Sequence, residues 1–297
     1  MSTMTKRTRY TILAIASAII FIAVLWLVLY QTNVARQAPS VPVAKQPSSE
    51  ESVVKREPPW GGGAVNTSNN GISVRAPMPY ADIASPVIVA GNAVAFENTV
   101  SIIIRDAGGR VVGRGFATAL ASDVGQSGPY RTAVAFNAPA GAKLFVEVFE
   151  ASAKDGTPIH MVRIPVRVTD NVTVYSVFLA KESGGAGCPL TSAVRRSVPA
   201  TTAVARAALE HLFAGPTREE WENGYRSFVP QETKINQLTV EAGVATADFS
   251  AYQIPAGVCA ADTARVQIEK TLLQFQMVTS VTLSVNGDTE VFLQSVR

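Results

Sequence analysis

The sequence predicts one transmembrane helix followed by two folded domains, an all-β sandwich and an α+β domain. Three observations support this fold class: an uncharged apolar run near the N-terminus, period-two alternation through the middle of the chain, and alternating strand and helix patterns after residue 172. The 297 residues fit roughly two domains, and 47% of them are apolar, so both domains can form hydrophobic cores.

The N-terminal run from Ile12 to Leu29 contains 18 residues without a charge. As a helix it spans about 27 Å, close to the thickness of the bilayer hydrocarbon core. Basic residues precede it, so the positive-inside rule predicts a cytoplasmic tail over residues 1–11 and an extracytoplasmic location for the rest. We interpret the run as an uncleaved signal anchor. A cleaved signal peptide is the alternative, and it exports the same domains.

Residues 37–70 are rich in proline and glycine and have no sustained apolar period. Such a segment does not form a packed core, and it predicts a disordered linker between the membrane and the folded domains.

Residues 72–169 predict an immunoglobulin-like β-sandwich. Short runs alternate apolar and polar residues between turn signals, most cleanly from Val162 to Val168. Phe96 and Phe149 are expected to pack in the core or on a sheet face, and His160 is expected at the edge of the sheet core. Candidate acid/base residues occur in this segment, but we interpret them as structural, with a hairpin turn at Asp155-Gly156. The candidates are Glu97, Glu150, Lys154 and Asp155.

Residues 172–297 predict an α+β domain with helices on one face of a small sheet. A strand is expected over 172–179, and a helix over 202–214 with Thr201 or Thr202 as N-cap and Gly215 as its end. His211 is expected to be a partly buried packing residue on this helix. Further elements are predicted downstream. They are a capping box at Thr217–Glu220, a hairpin of 238–240 with 244–249, a helix from Asp262 to about Val278, and a closing hairpin of 281–285 with 289–293.

The buried stripe of the helix that starts at Asp262 is expected to contain four apolar residues. They are Val266, Leu272, Leu273 and Phe275.

Two cysteines, Cys188 and Cys259, lie in the predicted exported α+β domain. An even count in an exported domain favours a disulfide between them. Two reduced cysteines, one of them reactive, are the alternative.

Both predicted domains resemble known families. The blocks 85–115, 128–136 and 149–168 resemble the immunoglobulin-like domain of bacterial spore germination proteins. Four later blocks are similar to the GerMN domain of sporulation and spore germination proteins: 189–196 (PLTSAVRR), 207–230, 244–250 (VATADFS) and 268–288. The resemblance implies extracytoplasmic domains without an established catalytic centre.

Composition excludes several classes of function. The net charge of +3 comes mainly from the N-terminal tail, which argues against nucleic-acid binding. Two cysteines and two histidines exclude a four-cysteine zinc site and disfavour a histidine-rich metal site. No phosphate-binding loop, dinucleotide fingerprint or G-x-S-x-G motif occurs. We therefore predict no catalytic, cofactor-binding or metal-binding residues.

Export without catalytic motifs predicts a binding or scaffold protein located in the cell membrane, and the resemblance implies a non-catalytic protein of the bacterial envelope. Its expected partner is an envelope protein or a second copy of the chain, with a cell-wall glycan as the other candidate ligand. The alternative function is a peptidoglycan-acting enzyme or a carbohydrate-binding module that uses surface carboxylates. A sensor is a third option, which requires a membrane partner because the cytoplasmic tail is short.

Overall fold

The structure is a computed structural model, and it describes residues 65–123, 125–181 and 188–293. These residues belong to one compact unit. The predicted membrane span and most of the predicted linker lie outside the described residues. Within the described ranges, no helix combines the length and the apolar character that crossing a membrane requires.

The first half of the described chain, residues 65–169, consists of strands in two sheets. The four-stranded sheet has the order β1-β2-β4-β7, and the five-stranded sheet has the order β3-β9-β8-β5-β6. The strands are β1 (Ser68–Asn69), β2 (Ile72–Ala76), β3 (Asp82–Ile83), β4 (Val87–Ala93), β5 (Thr99–Asp106), β6 (Val111–Thr118), β7 (Gly128–Val134), β8 (Lys143–Ala151) and β9 (Pro158–Val168).

The two sheets enclose one apolar core, and the period-two alternation identifies it correctly. Val162, Ile164, Val166 and Val168 on β9 are all buried. They pack with the alternating residues of β5 and β8 in the same cluster. Period two therefore identifies the core face of β9, although β8 also buries Glu147 and Phe149, which lie on the opposite face from its core residues.

Two features of the first half differ from the prediction. Residues 65–70, assigned to the linker, belong to the fold, since β1 pairs with β2 and Val65 packs against the core. Phe96, expected to be packed, is 59% exposed. The chain leaves β4 in a short 3₁₀ turn, Phe96–Asn98, in which Glu97 has a φ of 53°, and this turn directs the Phe96 ring outwards.

The second half, residues 172–293, combines strands and helices. Its two sheets have the orders β11-β10-β12 and β13-β14-β15, so the prediction of one small sheet is wrong. The strands are β10 (Val172–Lys181), β11 (Leu190–Pro199), β12 (Tyr225–Arg226), β13 (Lys234–Glu241), β14 (Val244–Ser250) and β15 (Ser280–Val285). The helices are α1 (Val204–Ala214), α2 (Arg218–Glu222), α3 (Val258–Leu273) and α4 (Glu290–Leu293).

Several local signals of the second half are confirmed. Thr217 and Glu220 form the capping box of α2, each side chain accepting the other's backbone N–H. Gly215 follows the last residue of α1 with a φ of 76°, a conformation that favours glycine. Ala242 and Gly243 both have positive φ and connect β13 to β14 in a tight hairpin.

The predicted helix starts are wrong by a few residues. The N-cap of α1 is Ala203, and Thr201 instead accepts the Ala203 N–H outside the helix. Helix α3 begins at Val258, so Asp262 lies inside it and pairs with Arg265. An Asp that can bond to a side chain one turn later need not cap, and the sequence signal cannot distinguish these roles.

The buried face of α3 is also different from the predicted stripe. Leu272 is buried, but Leu273 is exposed. The buried face also contains a polar residue, Gln267, that the predicted stripe did not include. Its amide nitrogen donates to the carbonyls of Phe178 and Arg226, and its oxygen accepts the Phe228 N–H. A polar residue that satisfies buried backbone groups breaks the apolar period on which the prediction relied.

The predicted C-terminal hairpin does not form. Strand β15 instead pairs in parallel with β14, and residues 290–293 form helix α4. The Asn286-Gly287 turn is held by β14, because Gly287 N–H donates to Asp248 and Asn286 N–H donates to the Phe249 carbonyl. The turn signal is real, but it connects a strand to a helix.

Candidate functional site

Arg131, on β7 of the first half, lies at the centre of the contact with the second half. Its guanidinium lies 3.4 Å from a Glu210 carboxylate oxygen and donates to the Thr233 carbonyl at 3.4 Å. It also lies over the Phe213 ring, 6.0 Å from its centroid. The Arg131 carbonyl accepts a hydrogen bond from the Gln231 side chain. One arginine is therefore held through both its side chain and its backbone.

His211, on α1, forms a second connection between the halves and is only 1% exposed. Its Nε2 lies 3.2 Å from the Pro86 carbonyl, and its Nδ1 lies 2.6 Å from the Tyr175 hydroxyl. A carbonyl can only accept, so Nε2 carries the proton and Nδ1 accepts from Tyr175. Burial, with a smaller contribution from Arg196, lowers the pKa of His211 to about 4. The ring is therefore neutral at physiological pH.

The Arg196 side chain, 1% exposed, fixes helix α2 on the second half. Its two terminal nitrogens donate to the two Glu220 oxygens at 2.7 and 2.6 Å. The same Glu220 carboxylate completes the capping box of α2. Because a bidentate pair fixes both distance and orientation, this contact determines where the neighbouring Trp221 lies.

Next to these contacts, residues of both halves line a cleft of about 400 Å³, which we call the junction cleft. Phe116 of β6 and Trp221 of α2 meet there edge to face, with centroids 6.2 Å apart. Their exposed fractions are 42% and 47%. Ser227 also lines the cleft, and its buried hydroxyl has no hydrogen-bond partner within the described residues.

The chemistry of the junction cleft suits binding. Two exposed aromatic rings offer a large apolar area with few rotatable bonds, which is typical of recognition surfaces. The arginine Arg218, the unpaired Ser227 hydroxyl and the Gln231 amide add polar groups at its wall. The described residues that line the cleft include no histidine, cysteine or carboxylate. These residues therefore do not form an acid/base pair.

The two cysteines singled out in the sequence are joined in the structure. Cys188 precedes β11, Cys259 lies in the first turn of α3, and their Cα atoms are 5.0 Å apart in a disulfide. The sequence predicted that this helix starts at Asp262, and its earlier start at Val258 places Cys259 inside it.

Of the four candidate residues of the first half, Glu150 pairs with His160, which the sequence analysis expected at the edge of the sheet core. Glu150 lies 3.0 Å from His160 Nδ1, and its other oxygen accepts the Phe96 N–H at 2.9 Å. Asp155 is a turn residue instead, because its carboxylate accepts both the amide and the hydroxyl of Thr157. These bonds hold the pKa of Asp155 below its usual value.

The remaining candidates have structural neighbours or lie in solvent. Glu97 is exposed, and the Lys154 amide donates to Ser152 in the turn before β9.

Sequence reasoning missed Arg131, Arg196, Phe116 and Trp221. Arg131 and Arg196 lie in strands, where a charge at an outward position is ordinary, and only the packing of the halves makes these positions internal. A weak signal existed for Trp221, an aromatic residue among the charged residues of a short helix.

Comparison with known proteins identifies both halves. A family model described as an immunoglobulin-like domain of bacterial spore germination matches residues 71–157. A second model, described as sporulation and spore germination, matches residues 173–291. Neither description names an enzymatic activity. The matches show that the chain combines these two domains of sporulation and spore germination proteins.

Solved structures show more distant similarity. The first GerMN domain of the sporulation protein GerM from Bacillus subtilis is 23% identical, over 39% of this chain and 85% of that one, with a TM-score of 0.30. The tandem GerMN domains of the same protein are 22% identical, over 39% of this chain and 40% of that one, with a TM-score of 0.32. A putative lipoprotein from Clostridium perfringens is 13% identical, over 40% and 77%, with a TM-score of 0.27. No curated protein matches the chain.

Proposed function

We propose that this chain, which combines an immunoglobulin-like spore germination domain with a GerMN domain, is a membrane-anchored, extracytoplasmic and non-catalytic binding and scaffold protein of the bacterial envelope. The observation that carries the proposal is the junction cleft. Two exposed aromatic rings from different halves meet there, next to the Arg131–Glu210 ion pair that joins the halves. An envelope protein docks on this cleft, with Phe116 and Trp221 as its anchors.

The polar contact supports a scaffold role because it gives the two domains one fixed arrangement. Arg131 and His211 bond to groups of the opposite half, and Ser197 donates to the Ser85 carbonyl at 2.9 Å. A binding surface shared by two domains costs less to order when the domains already hold their positions.

The disulfide supports the extracytoplasmic location. Disulfides persist outside the cytoplasm and are rare within it. Together with the predicted signal anchor, this favours a chain held in the membrane with both domains outside.

The alternative enzymatic function has weaker support in the geometry. Glycosidases need two carboxyl groups on either side of the scissile bond, at least one of them free to act. Both oxygens of Glu150 are engaged, and Asp155 is bonded within its turn. This arrangement favours binding over hydrolysis.

Site-specific cross-linking in the native envelope tests the proposal. The full chain carries benzoylphenylalanine in place of Trp221, and the matched control carries it in place of Ile254, which is similarly exposed at 45%. We expect one dominant envelope protein linked at position 221 and none at position 254. A link to a second copy would make the partner this chain itself. No protein adduct, or equal adducts at both positions, would contradict the proposal.

A further inference from the structure

A second cleft, of about 770 Å³, lies on the first domain and is distinct from the junction cleft. Four parts of the chain line it: the β1–β2 turn with Asn70, the segment from Val94 to Asn98 after β4, Gly125 between β6 and β7, and the β8–β9 pair with Glu150 and His160. We call it the Phe96 cleft, because the exposed Phe96 ring is its aromatic wall. A volume of this size accommodates a small-molecule ligand.

A chain of hydrogen bonds fixes one side of the Phe96 cleft. The Asn70 amide nitrogen lies 2.6 Å from His160 Nε2, and His160 Nδ1 lies 3.0 Å from Glu150. An amide N–H can only donate, so Nε2 accepts and the proton on Nδ1 points to the carboxylate. The other Glu150 oxygen accepts the Phe96 N–H, which ties the aromatic residue to the same chain.

The neighbouring polar side chains remain available. The Glu97 and Asn98 side chains form no hydrogen bond with any other described residue, and both line the cleft. They lie directly after the exposed ring in sequence. The cleft therefore offers one pre-organised polar wall, one aromatic face and two unoccupied hydrogen-bonding groups.

The backbone of this cleft is unusual in a way that agrees with a binding role. Eight non-glycine residues of the described chain have positive φ, and four of them line the Phe96 cleft. They are Asn70, Glu97, Asn98 and His160. Such conformations cost free energy and cluster at ligand-binding positions.

Charge narrows the class of ligand. Among the described lining residues two are carboxylates, Glu97 and Glu150, and none is a lysine or arginine. An anionic polymer is therefore disfavoured by like-charge repulsion. A neutral sugar fits each feature, because its C–H face packs on an aromatic ring while its hydroxyls both donate to carboxylates and accept from amides.

We propose that the Phe96 cleft binds a pyranose unit of a neutral glycan, with Phe96 as the stacking platform and Glu97 and Asn98 as hydrogen-bonding groups. This site is independent of the protein partner proposed at the junction cleft. The site binds the sugar and does not cleave its glycosidic bonds.

Isothermal titration of the full chain in detergent with the hexamer of β-1,4-linked N-acetylglucosamine tests the proposal. We expect Phe96→Ala to weaken binding about tenfold, within the range found for aromatic contacts. Glu97→Gln keeps the shape of the side chain and is expected to weaken binding less. The matched control Phe116→Ala removes an exposed aromatic ring from the junction cleft and should leave the sugar affinity unchanged.

Three results would overturn the glycan site. They are no binding of the hexamer by the unmodified chain, equal losses in Phe96→Ala and Phe116→Ala, and binding of a poly(glycerol phosphate) probe in preference to the hexamer. Each leaves cross-linking at position 221 unaffected, so failure of this site and failure of the proposed scaffold function are distinguishable. Phe96 is exposed, so its replacement is not expected to disturb folding.

Discussion

The two domains of this chain bury very different groups. In the sandwich, the buried polar residues among those described are Thr132 and Glu147. The second domain buries a larger and more varied set. Its members are Arg196, His211, Thr217, Thr233, Thr263, Gln267, Thr271 and Ser284. Both domains therefore have an apolar core, and the second domain adds specific hydrogen bonds between buried polar groups to it.

The largest expected effect tests the buried pair of the second domain. Glu220→Ala leaves the Arg196 guanidinium buried without its partner, and removing one member of a buried pair costs about 3–5 kcal/mol. The matched change in the sandwich is Glu147→Ala. The arginines that pair with Glu147 are more exposed, so we expect that change to cost about 1 kcal/mol.

Urea denaturation of both variants measures the difference. Similar losses of unfolding free energy in the two variants would contradict the difference between the domains. They would mean that Glu147 and Glu220 stabilise their domains equally.

The second prediction concerns acid. The pKa of His211 is about 4 in the folded chain and near 6.5 when unfolded, so the unfolded chain binds the extra proton first as pH falls. The contribution of His211 to the free energy of unfolding is therefore fully present above pH 6.5. It is lost between pH 6.5 and 4 and changes no further below pH 4. The total loss is up to about 3 kcal/mol at 1.36 kcal/mol per pKa unit.

Stability measured from pH 7 to 4 checks this loss. His211→Gln retains a donor for Pro86 and an acceptor for Tyr175, and we expect it to remove the His211 contribution to the slope. His160→Gln, in the sandwich, is the control that keeps that contribution. An unchanged slope in His211→Gln would show that the interdomain histidine does not cause the acid sensitivity.

A third change tests Gln267. Gln267→Leu has a similar size but leaves the Phe178 and Arg226 carbonyls and the Phe228 N–H without this partner. We expect a loss of about 2 kcal/mol, because unsatisfied buried polar groups cost 1–3 kcal/mol. Gln276→Leu at an exposed position should change stability by less than about 0.5 kcal/mol. A neutral Gln267→Leu, measured by thermal unfolding, would show that water or relaxation replaces these bonds.

The same contrast explains how far the sequence predicts this fold. Strand β9 follows from its alternation, because an apolar core leaves a regular trace in the sequence. Helix α3 does not, since Gln267 and Thr271 occupy its buried face and the hydrophobic period is lost. The Asn286-Gly287 turn signal is local. The parallel pairing of β15 with β14 depends on tertiary packing, which turn residues do not determine.

The candidate sites were less accessible to prediction than the fold. The sequence named Glu97 and Glu150, but it predicted that Phe96 packs in the core or on a sheet face. Only the 3₁₀ turn after β4 exposes the ring. The junction cleft requires the packing of two domains. Trp221 carries only a weak local signal, as an aromatic residue in a short charged helix, and Phe116 carries none.

The smallest expected effect sharpens the comparison at the junction itself. Phe116→Ala and Trp221→Ala should each cost about 1 kcal/mol, and their double-mutant cycle should give a coupling of about 0.5–1.5 kcal/mol for an edge-to-face pair. Because both rings are partly exposed, the coupling reports their contact more than burial. A coupling indistinguishable from zero would mean that the rings do not meet in solution, and that the polar contact around Arg131 alone sets the arrangement of the two domains.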